Sequence, residues 1–187
     1  MVIRVVDRTD SERLAAAFPE SPGTPENRHL ARFALQERGV LPALAAWDDS
    51  RPVGYCIVRW RVPGGGATDH ARALGCAELG DLFVAEAARG RGIGRALVEA
   101  AERHAMEQGE GAMGLEVTAA NPENEAARRL YERLGYTDAG FGEFITGYSY
   151  FLPDGTECRD EEAHRYLIKR LPPAGTGAER AGGRSPG

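Results

Sequence analysis

The segment Ala88 to Glu102, ARGRGIGRALVEAAE, sets Gly90, Gly92 and Gly94 at every second position among Arg89, Arg91 and Arg95, and runs directly into an amphipathic repeat. Backbone N–H groups at the start of a helix lack intrahelical partners and share the positive end of the helix dipole, so such a turn suits an anion. Glycine allows close backbone approach to the ligand and unusual φ. A pyrophosphate is the natural ligand. The P-loop pattern fails, because Gly94 is followed by Arg95 and Ala96 where Lys and Ser or Thr are required. The dinucleotide fingerprint fails too, because its third glycine would fall on Arg95 or Leu97.

A second group of residues lies downstream, in NEAARRLYERLGY (Asn124 to Tyr136). Tyr131 follows Asn124 by seven residues, two helical turns, so the two share a face, with Ala127 and Leu130 beside it. Arg89-x-x-Gly92-x-Gly94 resembles the (Gln/Arg)-x-x-Gly-x-(Gly/Ala) motif of the GCN5-related N-acetyltransferase (GNAT) family. The downstream segment is similar to that family's N-x-x-A-x-x-L-Y-x-x-x-G-(Phe/Tyr), with Asn124, Ala127, Leu130, Tyr131, Gly135 and Tyr136 in place. The two motifs stand in the family's order with a strand, LEV, between them. The likeness is strong from Ala77 to Tyr136.

The resemblance implies an acetyl-coenzyme A co-substrate and transfer of its acetyl group to a primary amine by direct attack, through a tetrahedral intermediate. It implies that Arg89, Gly90, Arg91, Gly92, Ile93, Gly94 and Arg95 wrap the pyrophosphate. Leu82, Phe83 and Val84 would offer main-chain groups to the pantetheine arm and the oxyanion, and Asn124 would hydrogen-bond the arm. Tyr131 would stand near the sulfur as the acid. The chemistry also requires a base, since an amine of pKa about 10.4 is mostly ammonium at neutral pH. Glu78, early on the strand before the turn, sits where the histone-acetylating branch carries its glutamate; Asp81, Glu116 or a water chain are the alternatives. A non-catalytic acyl-coenzyme A sensor would need the same turn without the acid and base, and a nucleotide-binding module is the third reading.

These residues need a scaffold, and the sequence outlines a mixed α/β domain over 1–171 with a central sheet flanked by helices, the fold the resemblance implies. MVIRVV reads as a strand, and DSERLAAAF (Asp10 to Phe18) as a helix capped by Asp10 or Ser11. PESPGTPEN is loop and RHLARFALQERG helix; LPALAAWDDSRPVGYCIVRWRV is a hairpin turning at Asp48 to Arg51. PGGGATDHARALG reads as loop, AELGDLFV as the strand before the turn, and AMGLEVTA (Ala112 to Ala119) as the next strand. The helix of the second motif opens at Asn121-Pro122, with Asn121 as N-cap. YTDAGF is a strand, and a long terminal hairpin turns at Pro153-Asp154-Gly155. The segment 172–187 has no apolar periodicity and reads as a disordered tail.

Composition excludes several function classes. The net charge of -5 and pI of about 5.5 argue against a nucleic-acid binder. No apolar run reaches the roughly 18 residues of a membrane span, and no signal-peptide core opens the chain. Cys56, Cys76 and Cys158 are odd in number and widely spaced, which fits a reduced cytoplasm and no metal. His29, His70 and His164 have no partner at metal spacing, and His104 falls on the apolar side of its helix. The family places the acceptor pocket between the first helical pair and the last hairpin. That hairpin is rich in Phe141, Phe144, Tyr148, Tyr150 and Phe151 beside Glu143, Asp160, Glu161 and Glu162, a composition for a cationic amine with an apolar body or for a homodimer contact.

Overall fold

In the stretch 43–48, Ala45, Ala46 and Trp47 are all buried, as in a strand covered on both faces. The computed structural model describes residues 1–18, 34–38, 41–61, 68–119, 125–152 and 154–173, without the side chains of Tyr148, Tyr150 and Phe151. The loop expected at 19–27, Asn121, Asn124 and nearly all of the expected tail lie outside the described residues.

The elements are β1 (Val2–Val5), α1 (Arg8–Ala17), β2 (Ala43–Asp48), β3 (Arg51–Arg59), α2 (Asp69–Leu74), β4 (Ala77–Val84), α3 (Ile93–Glu107), β5 (Ala112–Thr118), α4 (Glu125–Arg133), β6 (Thr137–Phe151) and β7 (Glu157–Arg170). Among the described residues the strands form one seven-stranded sheet in the order β1-β2-β3-β4-β5-β7-β6. All described neighbours are antiparallel except β4 and β5. Helix α3 buries Ile93, Leu97, Val98, Ala101 and Ala105 against one face together with Tyr131 of α4. On the other face, α1 packs with Val6, Leu14, Trp47 and Ile57, and α2 covers Ala112 and Tyr166. Among the described residues no helix is long and apolar enough to cross a membrane.

Three expectations are corrected. Helix α1 starts earlier than Asp10, because Asp7 is the N-cap. Its carboxylate accepts from Asp10 N–H at 3.0 Å while Asp10 accepts from Asp7 N–H at 3.1 Å, a reciprocal capping box. The stretch expected as loop contains α2, capped by the Thr68 side chain and ended by Gly75 in the left-handed region. YTDAGF is the start of one long strand, β6, whose register against β7 slips between Asp138 and Glu143, where Gly140 and Gly142 have positive φ.

Leu97 is fully buried at the centre of the face that carries the glycine turn. Leu97→Ala is expected to cost about 2–5 kcal/mol of unfolding free energy, read by urea denaturation, because close-packed neighbours collapse only partly into the space left.

Candidate active site

Strands β4 and β5 pair only at Ala77↔Met113 and Glu78↔Gly114, although β4 runs on to Val84 and β5 to Thr118. Beyond Glu78 the two strands part. The wedge is a cleft of about 330 Å³, lined from β4 by Leu79 to Leu82, from β5 by Glu116 to Thr118, and by Arg59, Ala127, Tyr131 and His164. On its β3 side, β4 carries one extra residue, since Ile57 pairs with Gly80 but Tyr55 with Phe83. The bulge holds Asp81 at φ 48, in the left-handed region.

The end of β4 has an open edge. Ala85 N–H bonds Val53 C=O at 2.9 Å on the β3 side, so its neighbour Val84 turns its own N–H and C=O the other way, toward β5. There Arg89 Nε reaches the Val84 carbonyl at 3.2 Å. Leu82 lies two residues back on this stretch; Phe83, between them, is packed beside Tyr55 and Phe18 with ring centroids 5.7 and 5.2 Å apart.

The chain then makes a 3₁₀ turn over Glu86–Ala88 and enters the glycine turn, with φ 74 at Gly90 and 78 at Gly92. Gly92 is the N-cap of α3 and no side chain caps it. The first intrahelical bond runs from Ala96 N–H to Gly92 C=O at 3.0 Å, which leaves the N–H groups of Ile93, Gly94 and Arg95 directed out of the helix end. A Cβ at Gly90 or Gly92 would meet nothing within 4 Å, so these glycines serve conformation. Gly94 differs, because a Cβ there would stand 3.4 Å from Leu130 and 3.8 Å from Val84. Strand end, glycine turn and second motif meet at that point. Arg91 pairs with Asp48 at 3.0 Å and Arg95 with Glu99 at 2.8 Å, both solvent-exposed. Exposed pairs of this kind contribute about 0–1 kcal/mol, so both guanidinium groups can exchange a carboxylate for a phosphate at little cost.

Tyr131 lies in the cleft wall at the base of α4, and burial pushes its hydroxyl up to about 12. It is therefore a proton carrier throughout the neutral range. Its ring meets Tyr136 edge-on at 5.9 Å. Glu116 faces the same cleft with its side chain about one quarter exposed. Burial, and then the charge of Glu78, raise its carboxyl above the ordinary range, while His164, His70 and Arg59 act in the opposite sense. His70 Nδ1 stands 3.9 Å from Glu116 Oε1, its ring packed against Phe144, Phe141 and Tyr166. His164 lies across from Thr118 at 3.5 Å.

Glu78, expected as the base, does not line this cleft. It is 1% exposed, and its carboxylate accepts from Arg59 at 3.2 Å, Tyr166 O–H at 3.0 Å, Thr68 N–H at 3.3 Å and the Thr68 hydroxyl. Those four donors occupy the carboxylate, and it presents no surface to an amine bound in the cleft. Asp81 pairs with Arg59 at 3.3 Å. His104 is half-buried beside Trp60, where burial lowers its pKa. Burial pushes the Cys56 thiol up to about 12 and raises that of Cys76. Neither is a thiolate at neutral pH. Among the described residues no group of three His, Cys, Asp or Glu is placed to hold a metal ion.

The sequence reading missed the convergence of His70, His164 and Arg59 on Glu116. These residues come from α2, β7 and β3, and only the sheet order joins them.

Comparison with known proteins bears on this geometry. A sequence model described as the Acetyltransferase (GNAT) family matches residues 10–136. The chain is 40% identical over 122 residues, 65% of its length and 77% of the relative's, to a protein called Acetyltransferase Atu2258 from Agrobacterium fabrum. Its fold superposes on the ribosomal-protein-S18-alanine N-acetyltransferase of Escherichia coli with a TM-score of 0.61 at 21% identity, covering 96% of this chain and 99% of that one. It also superposes on yncA of Salmonella typhimurium, a putative acetyltransferase solved with its cofactor acetyl-CoA, with a TM-score of 0.59 at 19% identity, covering 99% and 98%.

Proposed function

The chain belongs to the GNAT acetyltransferase family, and from that premise we propose that it moves the acetyl group of acetyl-coenzyme A to a primary amine, with Glu116 as base and Tyr131 as hydrogen-bond donor to the departing sulfur. The observation that carries this reading is the parting of β4 and β5 beyond Glu78, which opens one cleft onto both Glu116 and Tyr131. The glycine turn lies beyond the open end of β4.

Acetyl-coenzyme A supplies an activated thioester carbonyl and a thiol leaving group. The residues present fit it. The outward N–H groups of Ile93, Gly94 and Arg95, with Arg89, Gly90, Arg91 and Gly92 around them, would hold its pyrophosphate. The main chain of Leu82 and Val84, which has no β5 partner, would hold its arm as an added strand is held.

Glu116 takes over the role expected of Glu78 because its carboxylate reaches the cleft and its pKa is displaced upward. A base whose pKa is displaced upward takes a proton from an ammonium more readily. Tyr131 contributes differently. A hydroxyl near 12 cannot fully protonate a thiolate whose acid has pKa about 8.5, so it stabilises developing negative charge through its hydrogen bond. Tyr131→Phe is therefore expected to lower the single-turnover rate roughly tenfold to a hundredfold, at the lower edge of general-acid effects. The affinity for acetyl-coenzyme A should change by less than about threefold. An unchanged chemical step would remove Tyr131 from this role.

Phe141 and Phe144 pack about His70, and Phe18, Tyr55 and Phe83 pack together near the bulge; an acceptor with an apolar body would find its apolar contacts in these two groups. The test is release of coenzyme thiol from acetyl-coenzyme A by the purified protein across a panel of peptide N-termini, lysyl peptides, polyamines, aminoglycosides and free amino acids. Release that depends on one amine class, with a mass gain of one acetyl group on that amine, supports the reading. Saturable coenzyme binding without amine-dependent release from any class favours an acyl-coenzyme A sensor.

A further inference from the structure

The bulge in β4 places a left-handed residue in mid-strand, and aspartate, which enters that region more readily than most side chains, only partly accounts for it. Asp81 at φ 48 is one of two non-glycine residues with positive φ among those described, a backbone conformation that costs free energy for any residue with a side chain. Surrounding contacts must over-determine it.

Those contacts converge on Arg59, at the end of β3. One guanidinium nitrogen reaches Glu78 at 3.2 Å and the other reaches Asp81 at 3.3 Å, so the fork spans the residues on either side of Leu79 and Gly80. In doing so it lies flat on Gly80. A Cβ built there would collide with Nη1 and Cζ of Arg59, whereas Gly80 needs no left-handed backbone. Gly80 is thus the seat of a guanidinium. Glu78, the inner anchor, is itself fixed by Thr68 at the start of α2 and by Tyr166 of β7. The outer anchor, Asp81, is the residue whose backbone is displaced. Leu82 follows it immediately, on the stretch of β4 that has no β5 partner.

We propose that Arg59 is the positioning residue of the acetyl-transfer cleft: its guanidinium clamps Glu78 to Asp81 across Gly80, holds the bulge closed, and so sets the direction of the Leu82 main chain at the cleft. The inference rests on the acetyltransferase reading for its consequence, though not for its geometry. It assigns Glu78 to the anchoring of Arg59. It also gives Arg59 a second effect, since the guanidinium lines the cleft and its charge bears on Glu116.

Lysine is the discriminating substitution, because it keeps a cation beside buried Glu78 yet has no fork to span two carboxylates. Removing the cation outright would leave Glu78 uncompensated and threaten folding. In Arg59→Lys the amide hydrogens of Ile57 and Phe83, which lie in the β3–β4 pairs on the two sides of the bulge, are expected to exchange at least about tenfold faster in the free protein, while those at the centre of α3 keep their protection. The single-turnover rate should fall about tenfold to a hundredfold, as displacements near 1 Å do at reacting centres. The dissociation constant for acetyl-coenzyme A, set mainly at the glycine turn, should move by less than about threefold. Gly80→Ala provides an independent route, since its methyl group displaces the guanidinium while every charge remains, and the same pattern is expected. Wild-type exchange at Ile57 and Phe83 in both variants, or a full chemical rate with faster exchange, would overturn the proposal. Absence of amine-dependent thiol release by the wild-type protein would instead count against the acetyltransferase reading, and the exchange measurement would still decide whether Arg59 clamps the bulge.

Discussion

Gly92→Glu is expected to weaken acetyl-coenzyme A binding by at least about a hundredfold in calorimetric titration while leaving the protein folded. The N-cap of α3 sits at φ 78, where a side chain costs about 1–2 kcal/mol. There is space for it, since nothing lies within 4 Å of a Cβ at this position. A carboxylate beside a helix N-terminus recovers about 0.3–1 kcal/mol from the dipole. The net loss is therefore about 1 kcal/mol, a fall in Tm of roughly 2–4 °C for a chain of this size. Binding suffers far more. The new charge would lie beside the N–H groups that should receive the pyrophosphate, and like charges about 4 Å apart repel by about 4 kcal/mol at an effective dielectric of 20. Gly92→Ala separates the causes, because it carries the strain without the charge and should weaken binding by less than about tenfold. ATP and NAD serve as controls for a general anion site. Equal heats for wild type and Gly92→Glu would mean that the turn does not hold the coenzyme, and the assignment of Arg89 to Arg95 would fall with it.

The turn was legible because its physics is local. Alternating glycines after an apolar strand and before an amphipathic repeat specify a backbone shape, and AELGDLFV is β4 from Ala77 to Val84 as read. The helix α4 around Tyr131 and the turn between β2 and β3 were legible for the same reason. Helix α2 was hidden because six residues carry too little periodicity, and its signals, Thr68 before it and Gly75 after it, sat inside a glycine-rich run. The length of β6 was obscured by Gly140 and Gly142, which punctuate a strand that continues through them.

What local pattern cannot convey is the company a titratable group keeps. Glu78 and Glu116 both stand on strands among apolar residues, and the sequence offers little to rank them. Their separation comes from the sheet. Glu78 pairs with Gly114 where β4 and β5 are still joined, and Gly114 leaves the room that Tyr166 fills on its way to the Glu78 carboxylate. Glu116, two residues further along β5, is already beyond the last β4 pair and faces open cleft. Two residues of register divide an anchored carboxylate from an accessible one.

On that division rests the second large effect. Glu116→Gln should lower kcat/KM for the acceptor amine by about a hundredfold to ten-thousandfold, the range of a lost general base. The substitution keeps the side chain's shape and its contact with the cleft, so acetyl-coenzyme A should still bind. The pH dependence supplies the sharper sign. Burial and the neighbouring Glu78 charge raise the carboxyl pKa, the base must be ionised to act, and activity is therefore lost as pH falls through a value above the ordinary carboxylate range. In Glu116→Gln that acid limb should vanish from kcat/KM, leaving a low and flatter profile. Glu78→Gln should behave differently, with lowered stability and loosened Arg59 but an acid limb that persists, shifted downward because one of the charges raising Glu116 has gone. If the limb instead survives in Glu116→Gln and disappears in Glu78→Gln, the base is the buried carboxylate, and the proton must leave through the hydroxyls of Thr68 and Tyr166.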